Sequence, residues 1–286
     1  MNGPSVLLIG GGGQLGRALI ASGQLKDHDL AIASTRQQIV NSDAKAVPYR
    51  LIDVDEWLRN PEKFLDRYDL IVNFAQRRSP KDLDESLQFN KIIPLQMIAK
   101  HSHDATLIIN SSSYVQHLKL SSDLKLYVYA EAKRQLSQEL SIFAGEKGLN
   151  LVDISYFTIY GPSDHSNSMV SQLLASITRM EPFRTTSGDQ LISLTFSDDV
   201  VKLISKLIHD PLIKGEFSYW QSPLRTVKEY ITDIVNICGS TIPIEWGAYP
   251  YAGHEIFTDP SRFPPEIATN SWTDLRVGVQ RITKST

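Results

Sequence analysis

The stretch VLLIGGGGQLG, residues 6 to 16, sets four consecutive glycines between a short apolar run and the amphipathic segment QLGRALIASG. An apolar run that passes through glycines straight into a helical pattern reads as strand, tight turn and helix opening. Two spacings fit at once: GxGxxG through Gly11, Gly13 and Gly16, and GxxGxxG through Gly10, Gly13 and Gly16. Spacing leaves the register open, but the physics is common to both. Glycines make the turn, let backbone approach a pyrophosphate and let the helix pack on the strand, while the helix N-terminus attracts the phosphate charge. The segment therefore predicts a dinucleotide-binding loop, with Gln14 and Leu15 at the helix opening as further contacts.

The first half of the chain repeats this alternation. SVLLIG, DLAIAS, YRLIDV, DLIVNF, ATLIINSSS and LNLVDISYF read as strands, and QLGRALIASG, EWLRNPEKFLDRY, SLQFNKIIPLQMIAKHS and YAEAKRQLSQELSIFAGEKG as helices. Strand and helix in turn predict an α/β fold, a Rossmann-type doubly wound parallel sheet. After IYGP the rhythm breaks into a helix at SMVSQLLASITRM, a strand-like QLISLTF, a helix at SDDVVKLISKLIHD and a Pro-rich tail. We expect a dinucleotide-binding domain over 1–160, with 190–220 returning to it, and a smaller C-terminal substrate-binding lobe over 161–189 and 221–286. With 286 residues, 42% of them hydrophobic, the chain can fill both cores. A net charge of −3 with scattered basic residues predicts no nucleic-acid partner. No run approaches the roughly 20 apolar residues of a membrane span. The start MNGPSVLLIGGGG lacks a basic region and a cleavage site. The single cysteine, Cys238, lies in an apolar run and suits a reducing cytoplasm.

Where an NAD site carries an acid about 20 residues past the loop, this chain reads AIASTR. Ser34, Thr35 and Arg36 offer hydroxyls and a cation to a 2′-phosphate, so the strand end predicts NADP(H) over NAD(H). Asp53, closing YRLID, is a candidate for the adenine amino group or for a helix cap. In LYVYAEAK, Tyr129 and Lys133 stand four apart and share a helix face, whereas Tyr127 points elsewhere. A neighbouring ammonium favours the phenolate, which would let Tyr129 pass a proton.

Taken in order, GGGGQLG, VNFAQ, SSSYV, YAEAK, IYGP, LTFSDDVV and SWTDLRVGV resemble the extended short-chain dehydrogenases/reductases, the group of nucleotide-sugar epimerases, dehydratases and ketoreductases. The resemblance runs almost end to end and selects Gly10, Gly13 and Gly16. It implies a cofactor contact at Ala75, Tyr129 as general acid/base with Lys133 as its partner, and Ser112 as the hydroxyl that bonds the substrate oxygen, with Ser111 and Ser113 as competitors. Asn90, Ser113 and Thr158 are implied as substrate-side residues. The departures are informative. Ser113 and Tyr114 stand where dehydratases carry an Asp-Glu pair, Ser155 and Thr158 replace an Arg and an Asn used by epimerases, and Ile192 replaces a phosphate-clamping Arg, for which Arg184 is the substitute candidate.

These residues lead to the expectation of an NADPH-dependent reductase acting on a keto group, at C4, of a nucleotide-linked deoxysugar. An epimerase with a tightly held cofactor, reduction of a non-sugar ketone and a non-catalytic cofactor-binding protein are the competing readings. A nucleoside-diphosphate sugar is the expected partner, with a homodimer formed through the two long helices. His165 and His254 lack a second ligand at metal spacing, so no metal is expected. The aromatic segment WGAYPYAGHEIF is a candidate surface for stacking a base or sugar ring.

Overall fold

In the computed structural model, residues 3–35, 47–78, 80–121, 125–162, 164, 168–210, 212–221, 223–258, 263–267 and 272–285 are described. The first apolar run forms β1 (Ser5–Ile9), whose side chains divide by period two: Val6 and Leu8 enter one core, Leu7 and Ile9 another. A strand buried on both faces needs helices on both sides. The chain supplies them through α1 (Gln14–Ala21), β2 (Asp29–Ser34), β3 (Arg50–Asp53), α2 (Val54–Arg59), β4 (Leu70–Asn73), α3 (Leu83–Leu87), α4 (Ile93–His101), β5 (Leu107–Ser113), α5 (Lys125–Lys147) and β6 (Asn150–Tyr156). There follow β7 (Thr158–Tyr160), α6 (Met169–Arg179), β8 (Phe183–Arg184), β9 (Leu191–Ile192), β10 (Leu194–Phe196), α7 (Ser197–His209) and β11 (Gly215–Ser218). The chain closes with β12 (Arg225–Thr226), α8 (Val227–Ile237), β13 (Ile244–Glu245) and α9 (Leu275–Ser285).

The main sheet has seven strands in the order β11-β6-β5-β4-β1-β2-β3, each neighbouring pair parallel. The winding reverses between β1 and β4, which opens a crevice at the carboxyl ends of these strands. Leu19 and Ile20 of α1 and Val200, Leu203 and Ile204 of α7 cover one face. Trp57, Met97, Ile98, Leu136 and Leu140 from α2, α4 and α5 cover the other. A third core joins Val170 and Leu173 of α6, Tyr230 and Ile231 of α8, Val279 of α9, and Tyr160 and Phe196. The last helix is tied back onto α7: Thr273 donates its N–H and hydroxyl to the Asp199 carboxylate at 2.8 and 2.7 Å. Gly278 packs so closely on Tyr160 that a Cβ there would stand 2.4 Å from the tyrosine hydroxyl.

Three local readings change. The helix expected through EWLRNPEKFLDRY ends at Arg59, because Asn60 precedes a proline and leaves helical geometry (φ −139, ψ 58); Pro61–Lys63 is a single 3₁₀ turn. SLQFNKIIPLQMIAKHS is broken by a π-turn at Gln88–Ile92. Pro94 has no N–H for the Asn90 carbonyl, so the ladder opens and Ile93 reaches back five residues to Gln88. QLISLTF splits at Ser193 into β9 and β10, which pair with different partners.

Candidate active site

The glycine turn follows β1 and crosses above β4. Gly10 has φ +81, and a Cβ on it would lie 2.6 Å from the Ala75 N. At Gly16 a Cβ would stand 2.4 Å from the Gly11 Cα, so helix and turn approach as only glycine permits. Gly13 caps α1 without a side-chain acceptor, which leaves the helix's first N–H groups for a ligand.

Two adjoining cavities, of about 310 and 270 Å³, share Gly12, Gly13, Phe74 and Gln76 and form one trench over the winding reversal. At one end it meets Ser34, Thr35, Val54 and Ala75. At the other it meets Gln14, Leu15, Arg17, Arg78, the three serines that end β5, and Phe157. Gln14 Nε2 is buried in this wall with no partner among the described residues. A glycine cradle, an unpaired amide and cations at the helix start fit a dinucleotide's pyrophosphate. Arg36 lies outside the described residues, as does His165. Asp53 takes the cap role: its carboxylate accepts the Glu56 N–H at 2.8 Å, and its neighbour Val54 lines the trench.

Tyr129 and Lys133 lie on the inward face of α5, at 3% and 1% exposure. Among the described residues the Tyr129 hydroxyl has no hydrogen-bond partner. Burial pushes it up to about 12, against the opposing pull of the Arg78 guanidinium and the Ser113 and Gln76 side chains that face it. Lys133 Nζ donates to the Ser111 carbonyl at 3.0 Å. Burial pulls this ammonium down to about 8, with Asp153 opposing.

All three serines that end β5 line the trench, but their hydroxyls meet different partners. Adjacent residues of a strand face opposite ways. The Ser112 hydroxyl donates to Gln116 Oε1 at 2.5 Å, in a cluster where Gln116 and His117 meet the Ser155 hydroxyl. Ser113, one residue on, faces the Tyr129 hydroxyl. Tyr114 stacks on Phe157, with ring centroids 4.1 Å apart.

The other substrate-side candidates occupy three different settings. Asn90 is fully buried and holds backbone: its Oδ1 accepts the Arg77 N–H at 2.7 Å, while its Nδ2 donates to the Arg77 carbonyl and the Ser86 hydroxyl, both at 3.1 Å. Ser86 in turn donates to the Val128 carbonyl beside Tyr129. Thr158 donates its N–H to the Ser193 carbonyl, and Phe157 and Ile159, its neighbours, line the trench instead. Arg184 lies exposed on β8, paired with Glu245 at 3.2 Å and set over the Tyr249 ring, away from the trench. Ile192 packs against the third core.

Sequence reasoning missed Arg17, Gln76 and Arg78 as trench residues, and it missed a buried polar ladder. Asn73, Asn110 and Asp153 are register partners on β4, β5 and β6. Asn73 Nδ2 donates to Asn110 Oδ1 at 2.7 Å, and Asn110 Nδ2 to Asp153 Oδ1 at 2.9 Å. The signal was present in LIVN, LIIN and LVD, three apolar runs that each end in a polar residue at matching depth. Among the described residues no cluster of metal-ligating side chains occurs, and no helix is long and apolar enough to cross a membrane.

A parallel 3-2-1-4-5-6 sheet order, a glycine turn at the switch point and a tyrosine-lysine pair beside the trench define a dinucleotide-dependent enzyme fold. The chain belongs to the NAD dependent epimerase/dehydratase family, whose sequence profile matches residues 6–216. Similar solved structures include UDP-N-acetylglucosamine 4-epimerase from Methanobrevibacter ruminantium M1 in complex with UDP-N-acetylmuramic acid (18% identity, TM-score 0.75, all of both chains covered). MoeE5 in complex with UDP-glucuronic acid and NAD is similar at 17% identity and TM-score 0.77, over 98% of each chain. The NAD-dependent NDP-hexosamine 5,6-dehydratase TunA, involved in tunicamycin biosynthesis, is similar at 14% identity and TM-score 0.75, over 99% of this chain and 97% of that one. At these identities the likeness is one of fold. A comparison with curated protein sequences gives no match.

Proposed function

We propose that the protein is an NADPH-dependent reductase of a keto group, at C4, on a nucleotide-linked deoxysugar. The observation that carries this reading is the Tyr129 hydroxyl, buried and faced by Ser113, Gln76 and Arg78, with no hydrogen-bond partner and no carboxylate acting on it among the described residues. The bound nicotinamide cofactor supplies the hydride. Tyr129, held up at about 12, is fully protonated at neutral pH and gives its proton to the carbonyl oxygen. Ser113 takes the role of orienting that oxygen, in place of Ser112. The phenolate left behind is stabilised by the Arg78 guanidinium and by Lys133. Dehydration would need acids at the positions of Ser113 and Tyr114, where a hydroxyl and a stacked phenol stand instead. Ser34 and Thr35, without an acid at the end of β2, support NADPH. The UDP-sugars bound by the structural neighbours support a nucleotide-sugar substrate, received by the lobe around the third core.

Parallel fluorescence titrations with NADPH and NADH, followed by turnover of 4-keto nucleotide sugars with a Tyr129→Phe control, test the proposal. Preference for freely exchanging NADPH and loss of turnover in the variant are expected. A co-purifying cofactor that does not exchange would move the reading to an epimerase. Full turnover by Tyr129→Phe would overturn the role given to this residue.

A further inference from the structure

The reading above leaves one buried ionisable group without a task. Asp153, 3% exposed, lies in β6 between the buried apolar residues Val152 and Ile154, with its carboxylate bonded to Ser137 of α5. Tyr129, Lys133 and Ser137 stand at i, i+4 and i+8, on one face of α5. Lys133 reaches the Ser111 carbonyl on β5, and Ser137 donates its hydroxyl to Asp153 Oδ2 at 2.5 Å on β6.

The polarity of the ladder is fixed from its outer end. The Ala75 backbone N–H can only donate, and it donates to Asn73 Oδ1 at 3.0 Å. Asn73 must then present its NH₂ to Asn110 Oδ1, and Asn110 its NH₂ to Asp153. Asp153 thus terminates a chain of donors, with the Ser137 hydroxyl as a second, and a group so placed is an acceptor. We propose that Asp153, locked between Asn110 and Ser137, is the counter-charge that holds the buried Lys133 as an ammonium, and is a positioning residue for the Tyr129 and Lys133 pair. This rests on the catalytic reading of that pair. The groups around Asp153 are Lys133 and Ser137 from α5, Asn110 from β5, the Ile154 N–H and Tyr156 from β6 itself, and Glu216 from β11. Lys133 is the cation among them. Burial pulls Lys133 down and Asp153 opposes that pull, while Lys133, Ser137 and Asn110 oppose the upward push of burial on Asp153.

The test reads the lysine directly. The full chain, labelled with ¹⁵N at lysine Nζ and without cofactor or substrate, is titrated by NMR, and the Lys133 signal is assigned by its loss in Lys133→Met. Asp153→Asn keeps the shape and the Asn110 bond, turns the Ser137 bond around so that the amide donates to the hydroxyl, and removes the charge. We expect the Lys133 midpoint to fall by about one pH unit or more, a tenfold loss of ammonium at a given pH. Ser137→Ala, which hardly changes core volume and covers the case of an unfolded Asp153→Asn, should lower it in the same direction by less. A Lys133 midpoint unmoved in the variants that fold overturns the proposal. Because the readout needs no turnover, it moves or stays independently of whether Tyr129→Phe abolishes the reaction, so the two readings fail separately.

Discussion

Replacing Asn90 with Ala distinguishes a residue that holds backbone from one that holds substrate. The side chain makes three hydrogen bonds at 2.7, 3.1 and 3.1 Å, all in a fully buried position, and Ala leaves the Arg77 N–H, the Arg77 carbonyl and the Ser86 hydroxyl without that partner. At about 1 kcal/mol for each net bond lost, the cost is about 3 kcal/mol. Unfolding entropy of about 2.1 cal/mol/K per residue scales to about 0.6 kcal/mol/K for this length, so Tm should fall by about 5 °C. The damage should also be felt in the trench, since Gln76 and Arg78 flank the backbone that Asn90 clamps and both line the cavity. Affinity for NADPH and NADH should therefore weaken together in a fluorescence titration, with calorimetry giving the Tm. Asn90→Asp, nearly identical in shape, should do no better, because it presents an acceptor to the Arg77 carbonyl where two donors stood. An unchanged Tm with unchanged cofactor affinity, and a change confined to substrate KM, would refute the clamp and return Asn90 to the substrate.

Tyr129→Phe should lose about 10²-fold or more in turnover while its Tm holds or rises, since the hydroxyl it removes has no hydrogen-bond partner among the described residues. Gly16→Ala must push the Gly11 backbone away from a contact of 2.4 Å; equilibrium dialysis should show loss of NADPH binding, and a retained affinity would place the pyrophosphate elsewhere. His101, fully buried, takes the Trp57 indole N–H at Nε2 (2.9 Å) and faces the Asp66 carbonyl at Nδ1 (2.7 Å), an arrangement that needs the neutral ring. Burial holds its pKa below the usual 6.5, so the unfolded chain binds the proton first. Its contribution is present above pH 6.5 and lost as the pH falls through that value, by at most about 1.4 kcal/mol per pH unit. Urea midpoints between pH 7.5 and 5 should fall less steeply for His101→Gln than for the natural chain, and parallel slopes would sink this account.

The strands and the glycine turn were legible because one residue type decides them. Val6 to Ile9 is apolar throughout, so both faces are buried whatever packs there, and the close approach at Gly16 excludes a side chain. Helix ends were less legible. Asn60 leaves helical geometry ahead of Pro61 and a single 3₁₀ turn follows, and Pro94 turns a continuous helix into two pieces joined by a π-turn. In the site, the pair at Tyr129 and Lys133 followed from i, i+4 spacing, a property of the helix alone. The choice among Ser111, Ser112 and Ser113 did not follow, because they do not differ in residue type and all three line the trench; only their hydroxyls' partners tell them apart. The pairing of Arg184 was illegible for another reason: its partner Glu245 lies sixty-one positions away in sequence.

The ladder of Asn73, Asn110 and Asp153 shows why side-chain types near strand ends can carry more than local information. Each lies where the apolar run of its strand stops, and each needs its neighbour on the next strand to escape the penalty of a buried polar group, which is on the order of 1–3 kcal/mol when left unpaired. A slip of one residue between β5 and β6 would face Asn110 with Val152 or Ile154, both apolar, and turn Asp153 onto the other side of the sheet. The ladder therefore fixes register at the carboxyl ends of the strands that carry Ser113 and Phe157 into the trench. The same requirement that aligns β4, β5 and β6 also sets Asp153 behind Lys133. A neutral residue there would remove the carboxylate whose charge opposes the downward pull of burial on that lysine. Structure at this point demands a polar group of the right length; only the presence of a charge needs a functional explanation, which is why the isosteric Asp153→Asn separates the two.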